Sequence, residues 1–196
     1  MSKNVSGSGV HRCTWATKPV FWDYHDKEWG TPVHNDLVHF EFLVLEAAQA
    51  GLSWETILKR REGYRKAFAN FDPLKVARFT EANAAKLLLN PGIIRNRLKI
   101  KAAIQNAKRF LEVQKEFGSF DAYLWSFTKG KVLRHSPTSI KDIPATTELS
   151  DRVSKDLKKR GFTFVGSTVM YAHLQAVGIV NDHERSCFRY KKLTHQ

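Results

Sequence analysis

Apolar residues recur along most of this chain at the three- and four-residue spacing of an amphipathic helix. Leu37, Phe40, Val44, Leu45 and Ala48 mark one such stretch, with Asn35 or Asp36 to cap it and Gly51 to end it. Ser53 caps a second, in which Ile57, Leu58, Tyr64 and Phe68 carry the period. Asp72 followed by Pro73 is a cap with proline at the first helical position. A further helix spans residues 80–89 and is stopped by Asn90, Pro91 and Gly92. The longest begins near Arg95 and runs to 117, ended by Gly118, and a short aromatic one covers 119–127. Beyond Pro137 and Pro144, one helix passes through Val153 and Leu157 to Gly161, and the last long one spans 166–177. No segment shows four or more strand alternations with hairpin turns; residues 162–165 are the nearest and are short. The pattern predicts an all-α protein, one compact two-lobed helical domain over 11–196. The polar, Gly/Ser-rich residues 1–10 are expected to form a disordered extension.

Composition narrows the class. A chain of 196 residues that is 42% apolar buries roughly 70% of its unfolded surface, which excludes disorder for the bulk of it. Two cysteines cannot build a disulfide framework at this size. The best apolar run, residues 42–50, is interrupted by Glu46 and is too short to span a membrane. The N-terminus lacks the apolar stretch of a signal peptide, so a cytoplasmic location is expected. Lys and Arg number 32 against 19 acidic residues, a net charge of +13, which points to a polyanionic partner, nucleic acid before anionic membrane. The charges recur within helical segments at 59–61, 95–101 and 155–160, so a folded surface carries them.

Three groups of residues carry chemistry. His183 and Cys187 stand four apart and share a helical face. With Cys13 and His25 they make a Cys2His2 set able to hold zinc tetrahedrally if the chain ends meet. Each cysteine alone also reads as a small core hydrophobe. The segment LNPGIIR at 89–95 is a tight glycine-containing connection between helices, followed by Arg95, Arg97, Lys99 and Lys101. Its backbone N–H groups suit a phosphate, as in the helix-hairpin-helix element of sequence-independent DNA binders; the plainer reading is an ordinary connection with a solvated basic face. Finally, Trp15, Phe21, Trp22, Tyr24 and Trp29 crowd the first thirty residues, and Glu46 sits in an otherwise apolar helix before Trp54. An acid there needs a partner or a task. Aromatic faces beside a half-buried carboxylate suit a nucleobase with N–H donors, whereas an arginine-paired core glutamate is the alternative.

These groups coincide in one family. Cys13 in RCTW at 12–15, YHDKEWG at 24–30, LEAAQAGLSW at 45–54, FDP at 71–73, GIIRNRLKI at 92–100, LWSF at 124–127, KKRGFTFVGST at 158–168 and VNDH at 180–183 resemble the bacterial type I 3-methyladenine DNA glycosylases, of the helix-hairpin-helix glycosylase superfamily. The motifs run in the family's order over nearly the whole chain. The resemblance implies that Cys13, His25, His183 and Cys187 hold one structural zinc ion. It implies that Glu46 hydrogen-bonds the amino edge of the excised base, with Tyr24 and Trp54 as the walls between which the base stacks. Trp15, Trp29 and Phe21 would complete the pocket. Phe21 stands where the family pattern has a tyrosine, and the spacing from Cys13 to His25 is one residue shorter than that pattern.

The implied reaction is hydrolysis of the N-glycosidic bond of 3-methyladenine in alkylated double-stranded DNA, leaving an abasic site without strand cleavage. Leu52 would fill the vacated stack, and Gly92, Ile93, Arg95, Arg97 and Lys99 would hold the backbone. The chain is expected to act as a monomer, with no membrane partner. Two other classes compete. A lesion-binding module would keep the fold without turnover, but Glu46 is present. A zinc hydrolase needs an open coordination position, and four protein ligands leave none.

Overall fold

The helices begin where side chains can cap them. In the computed structural model, which describes residues 9–194, Asn35 caps α2 (Asp36–Gln49) by accepting from the amides of Leu37 and Val38. Ser53 caps α3 (Trp54–Leu58), and Asp72 caps α5 (Pro73–Val76). Thr80 and Asn83 form a reciprocal capping box on α6 (Glu81–Leu89), Ser119 caps α8 (Phe120–Ser126), and Thr147 caps α9 (Glu148–Lys159). Apart from Gly9 and Val10, the expectation for residues 1–10 lies outside the described residues.

Helix α2 is the axle of the fold. Residues 39–48 are all buried, as befits a helix surrounded on every side. It packs against α3, α4 (Arg61–Ala67), α7 (Arg97–Phe117), α8 and α10 (Ser167–Ala176). Helices α5 and α6 lie on α7, and α9 backs α10. One continuous apolar cluster runs from Cys13 and Tyr24 through Phe40, Phe110 and Leu157 to Cys187, so the two lobes expected from the sequence share a single core.

The structure departs from the periodicity in three places. The helix expected from Ser53 through Phe68 breaks after Leu58 and resumes as α4. The break turns Gly63 against the 89–95 connection, where a Cβ would stand 2.1 Å from the Gly92 carbonyl oxygen; only glycine permits that approach. The long helix starts at Arg97 rather than near Arg95, because the Asn96 side chain takes the amides of Leu98 and Lys99 and fixes the cap there. Residues 162–165 form no strand, in keeping with their shortness, but β1 (Leu133–Arg134) pairs in parallel with β2 (Val180–Asn181), two residues each and too short to leave an alternation in the sequence.

The sequence pattern also missed α1 (Pro19–Asp23), the π-helical turn Tyr24–Glu28 and α11 (Phe188–Thr194). Pro19 at the first helical position is the one signal that could have marked α1; the aromatic crowding around it hides any period.

Candidate functional site

The π turn divides two sites. Five residues per hydrogen-bonded step, closed by the Trp29 amide on the Tyr24 carbonyl at 2.9 Å, turn adjacent side chains to different partners. Tyr24 lines a cavity of about 370 Å³ together with Trp15, Phe21, Trp29, Glu46 and Trp54, the size range of small-molecule pockets. His25 enters a second cluster with Cys13, His183 and Cys187.

The cavity's walls are aromatic. Trp15 is their hub, with ring centroids 5.8 Å from Phe21 and 5.1 Å from Trp29, both edge-on. Tyr24 and Trp54 do not stand as parallel plates. Their centroids are 5.1 Å apart and the planes tilted by 54°, whereas a base slotted between two rings would hold them about 7 Å apart, twice the contact distance of stacked carbons. The sandwich expected from the sequence is therefore closed here, because the two rings pack on each other. Burial, followed by the charge of Glu46, pushes the Tyr24 pKa well above its ordinary value, so the phenol keeps its proton.

Glu46 is the cavity's acid. It is 3% exposed, and its carboxyl group makes no hydrogen bond or ion pair with a described residue. Burial alone pushes its pKa up to about 8. The arginine-paired reading belongs to a different residue of α2: Glu41, 5% exposed, accepts from Arg61 Nε at 2.8 Å and Arg65 Nη2 at 2.7 Å. Arg61 also grips both oxygens of Glu28 at 2.8 and 2.7 Å.

The second cluster brings the chain ends together. Its four ligand atoms lie within 4.8 Å of one another and all four residues are buried. Cys13 Sγ is 3.3 Å from His183 Nδ1, and Cys187 Sγ is 3.5 Å from His25 Nε2 and 3.6 Å from His183 Nδ1. Tetrahedral zinc with Zn–S of about 2.3 Å and Zn–N of about 2.05 Å requires S···N edges of about 3.5 Å. The outer nitrogens are engaged as well. His183 Nε2 donates to the Trp29 carbonyl at 2.9 Å and His25 Nδ1 to Asp26 at 2.7 Å, which leaves the inward nitrogen of each ring as a lone-pair donor. Asp26 is clamped by Arg12 Nε at 2.9 Å, and Gly30 at φ +72° leaves room for the His183 ring, 3.0 Å from where a Cβ would stand. The donor set and its spacing fit a tetrahedral ion.

A profile of the methyladenine glycosylase family matches residues 14–190. The chain belongs to that family. It is 44% identical over 177 residues to DNA-3-methyladenine glycosylase of Haemophilus influenzae, covering 90% of this chain and 96% of the relative. It is 44% identical over 182 residues to DNA-3-methyladenine glycosylase 1 of Escherichia coli, covering 92% and 97%. A crystal structure of 3-methyladenine DNA glycosylase I matches with a TM-score of 0.88 at 46% identity, over 91% of this chain and 98% of that one. A tyrosine-to-phenylalanine variant of 3-methyladenine DNA glycosylase I in complex with 3-methyladenine matches with a TM-score of 0.87 at 35% identity, over 90% and 96%.

In this methyladenine glycosylase family member the 89–95 connection is held from within. Asn90 Oδ1 accepts from the Gly92 amide at 2.8 Å, the Asn90 carbonyl from the Ile93 amide at 3.5 Å, and the Tyr64 hydroxyl from the Ile94 amide at 3.2 Å. Two residues expected to face DNA are committed elsewhere. The Ile93 side chain is 3% exposed and belongs to the core. Lys99 Nζ donates to the carbonyls of Ala48 and Ala50, both at 2.7 Å; it closes the C-terminal end of α2, whose last carbonyls lack helical partners. Arg95 and Arg97 are exposed and form no ion pair with a described residue. Leu52, 39% exposed, stands at the turn before Trp54.

Ile140, Ile143, Ala172 and Gln175 also line the cavity, and sequence reasoning named none of them. Ala172 and Gln175 are three apart on α10 and so share a helical face, but nothing in the chain marks that face as a cavity wall. Asp26 and Asn181 flank the metal-ligand candidates in sequence, a signal that an acid or amide beside a ligating histidine could have supplied.

Proposed function

We propose that this chain excises 3-methyladenine from alkylated double-stranded DNA by hydrolysing the N-glycosidic bond, leaving an abasic site. The observation that carries the reading is Glu46, a buried acid without a partner among the described residues, in an aromatic cavity of a chain of the methyladenine glycosylase family. The names of its relatives support the same reaction.

Methylation at adenine N3 makes the base cationic. When the bond from C1′ to N9 breaks, its electron pair stays with the base, which departs neutral; water then bonds to C1′ and gives up a proton. Little acid catalysis is needed. Everting the nucleotide costs a few kcal/mol, less for a poorly stacked lesion. In the cavity Glu46 accepts from the amino edge of the base, and the base's positive charge draws its raised pKa down toward the ionised form. Trp54 and Tyr24 supply aromatic faces once the contact between their rings opens, with Trp15, Trp29 and Phe21 enclosing the remainder. Leu52 takes the place the base vacates, while Arg95, Arg97 and the Gly92 turn hold the phosphates. Among the described residues no lysine lines the cavity, so strand cleavage through a Schiff base is not expected.

Cys13, His25, His183 and Cys187 would hold one zinc ion, which when bound supplies a structural tie between the chain ends. The same reading makes the protein a monomeric bacterial cytoplasmic enzyme; among the described residues no helix is long and apolar enough to cross a membrane.

Chromatography of the bases released from methylated DNA tests the proposal. Release of 3-methyladenine is expected and release of 7-methylguanine is not, because its edge presents a carbonyl to the acid. Glu46→Ala and Glu46→Gln should each lower 3-methyladenine release at least about tenfold, the value of one hydrogen bond to a buried group, with metal content unchanged. Full single-turnover excision by Glu46→Ala would make Glu46 a mere core acid.

A further inference from the structure

Gln175 lies on α10 at the cavity wall and is 9% exposed. Its amide has one fixed neighbour, Asp182, which lies in a separate cavity behind it. Three donors converge on Asp182: Gln175 Nε2 at 2.6 Å, the Tyr171 hydroxyl at 2.5 Å and His135 Nδ1 at 2.6 Å. The parallel pairing of β1 with β2 puts His135 beside this carboxylate, through the His135 amide on the Asn181 carbonyl at 3.2 Å. A carboxylate only accepts. The end of the Gln175 amide that faces Asp182 must therefore be the NH2, and the amide cannot turn over without setting one oxygen against another. The Gln175 Oε1 atom accepts from no described residue and is not sealed from solvent.

We propose that Gln175 is a specificity-determining residue. Its Oε1, locked toward the cavity by Asp182, accepts from the exocyclic amino group of an adenine-type base and repels the carbonyl oxygen that guanine carries at the same position. This deepens the glycosylase reading and rests on it. The exocyclic amino group has two hydrogens, one for Glu46 and one for Gln175. The two acceptors are not equivalent. Glu46 repels a carbonyl when ionised, but burial pushes its pKa up to about 8, and in its protonated form it can donate to one, so its own discrimination is partial. Gln175 has no proton to offer on that side. A wrong base leaves an acceptor facing an acceptor, an arrangement that binding cannot repair. Gln175 is thus the discriminating member of the pair, Asp182 is its positioning residue, and Tyr171 and His135 hold Asp182 in turn.

The test is equilibrium binding of free 3-methyladenine and free 3-methylguanine, read by tryptophan fluorescence, with metal content and melting temperature checked for each variant. Gln175→Met keeps the side-chain length and removes the acceptor; Gln175→Ala removes the group outright and serves if the methionine variant does not fold. Either should lower the preference for 3-methyladenine about tenfold. Tyr171→Phe removes one of the three donors that hold Asp182 and should lower the preference less than the Gln175 variants do, because Gln175 and His135 still grip the carboxylate. An unchanged preference in the Gln175 variants, or a loss in Tyr171→Phe larger than theirs, overturns the assignment. The wild-type excision assay separates the two readings: a wild type that releases no 3-methyladenine defeats the glycosylase proposal, while the binding ratio still decides Gln175.

Discussion

Two sites meet at the π turn Tyr24–Glu28, and they differ in how completely their polar atoms are satisfied. Around Cys13, His25, His183 and Cys187 the outer ring nitrogens have partners, and the partner of His25 is itself clamped by Arg12. In the aromatic cavity the acid has none among the described residues. The same contrast recurs on α2, where Glu41 is gripped by Arg61 and Arg65 and Glu46, five residues on, is left alone. A buried charge-bearing group without a partner is costly, and the fold tolerates it only where a ligand arrives to complete it. On the proposed reading, the complete outer shell belongs to a structural site and the incomplete one to the place where substrate binds.

The largest effect should come from breaking the complete site. Metal binding to a preformed Cys2His2 set is folding free energy, and on the proposed reading a bound ion would join α11 and the β2 end of the chain to the segment that carries Tyr24. Protein purified without chelator should contain close to one equivalent of zinc. Removing it, or replacing Cys187 with Ala, should lower the melting temperature by about 10 °C or more, and with it the order of the π turn. Zinc-free protein with an undiminished melting temperature would overturn the structural role.

The incomplete site should show its cost as pH changes. The folded-state pKa of Glu46 is about 8, above its ordinary 4.5. An acid raised on folding leaves the folded state holding the extra proton, so stability is full below about pH 4.5, declines as pH rises and levels off above about 8. The span between those values, at 1.36 kcal/mol per pH unit, bounds the penalty at about 5 kcal/mol. Glu46→Gln should therefore melt close to wild type at pH 4.5 and progressively above it from pH 5 to 9, measured by calorimetry across that range. A difference that stays constant with pH would mean that Glu46 is compensated in the folded protein. Glu41→Gln, in contrast, should lose stability near neutral pH, because it withdraws the partner from two arginines.

How much of this was legible in the sequence depends on whether the signal was local. Caps at Asn35, Ser53, Asp72 and Thr80 act within one turn, so helices α2, α3, α5 and α6 start where the chain says they do. The metal-ligand candidates stood out by spacing, His183 and Cys187 four apart and each cysteine near a histidine, and Glu46 as an acid in an otherwise apolar stretch. What could not be read was tertiary. Gly63 matters because another segment's carbonyl lies against it. Lys99 looked like one more cation in a basic run until the fold placed two α2 carbonyls at its ammonium. Gln175 is an ordinary helical residue whose orientation is set by Asp182, brought there by a strand pair of two residues.

The smallest effect concerns the basic surface beside the 89–95 connection. Arg95 and Arg97 remain exposed beside the Asn90–Gly92 turn, and Lys99 is taken up by α2. Arg95→Ala and Arg97→Ala should each weaken DNA affinity similarly across sequences, and each should flatten the slope of log affinity against log salt by about one for every phosphate the arginine neutralises. Lys99→Ala should leave that slope unchanged. Its effect belongs to the cavity instead: freeing the carbonyls of Ala48 and Ala50 loosens the end of the helix that carries Glu46, so base binding should weaken at every salt concentration. If Lys99→Ala flattens the slope as Arg95→Ala does, its ammonium leaves those carbonyls for a phosphate when DNA binds. The hairpin and the cavity would then be coupled through that one side chain rather than independent.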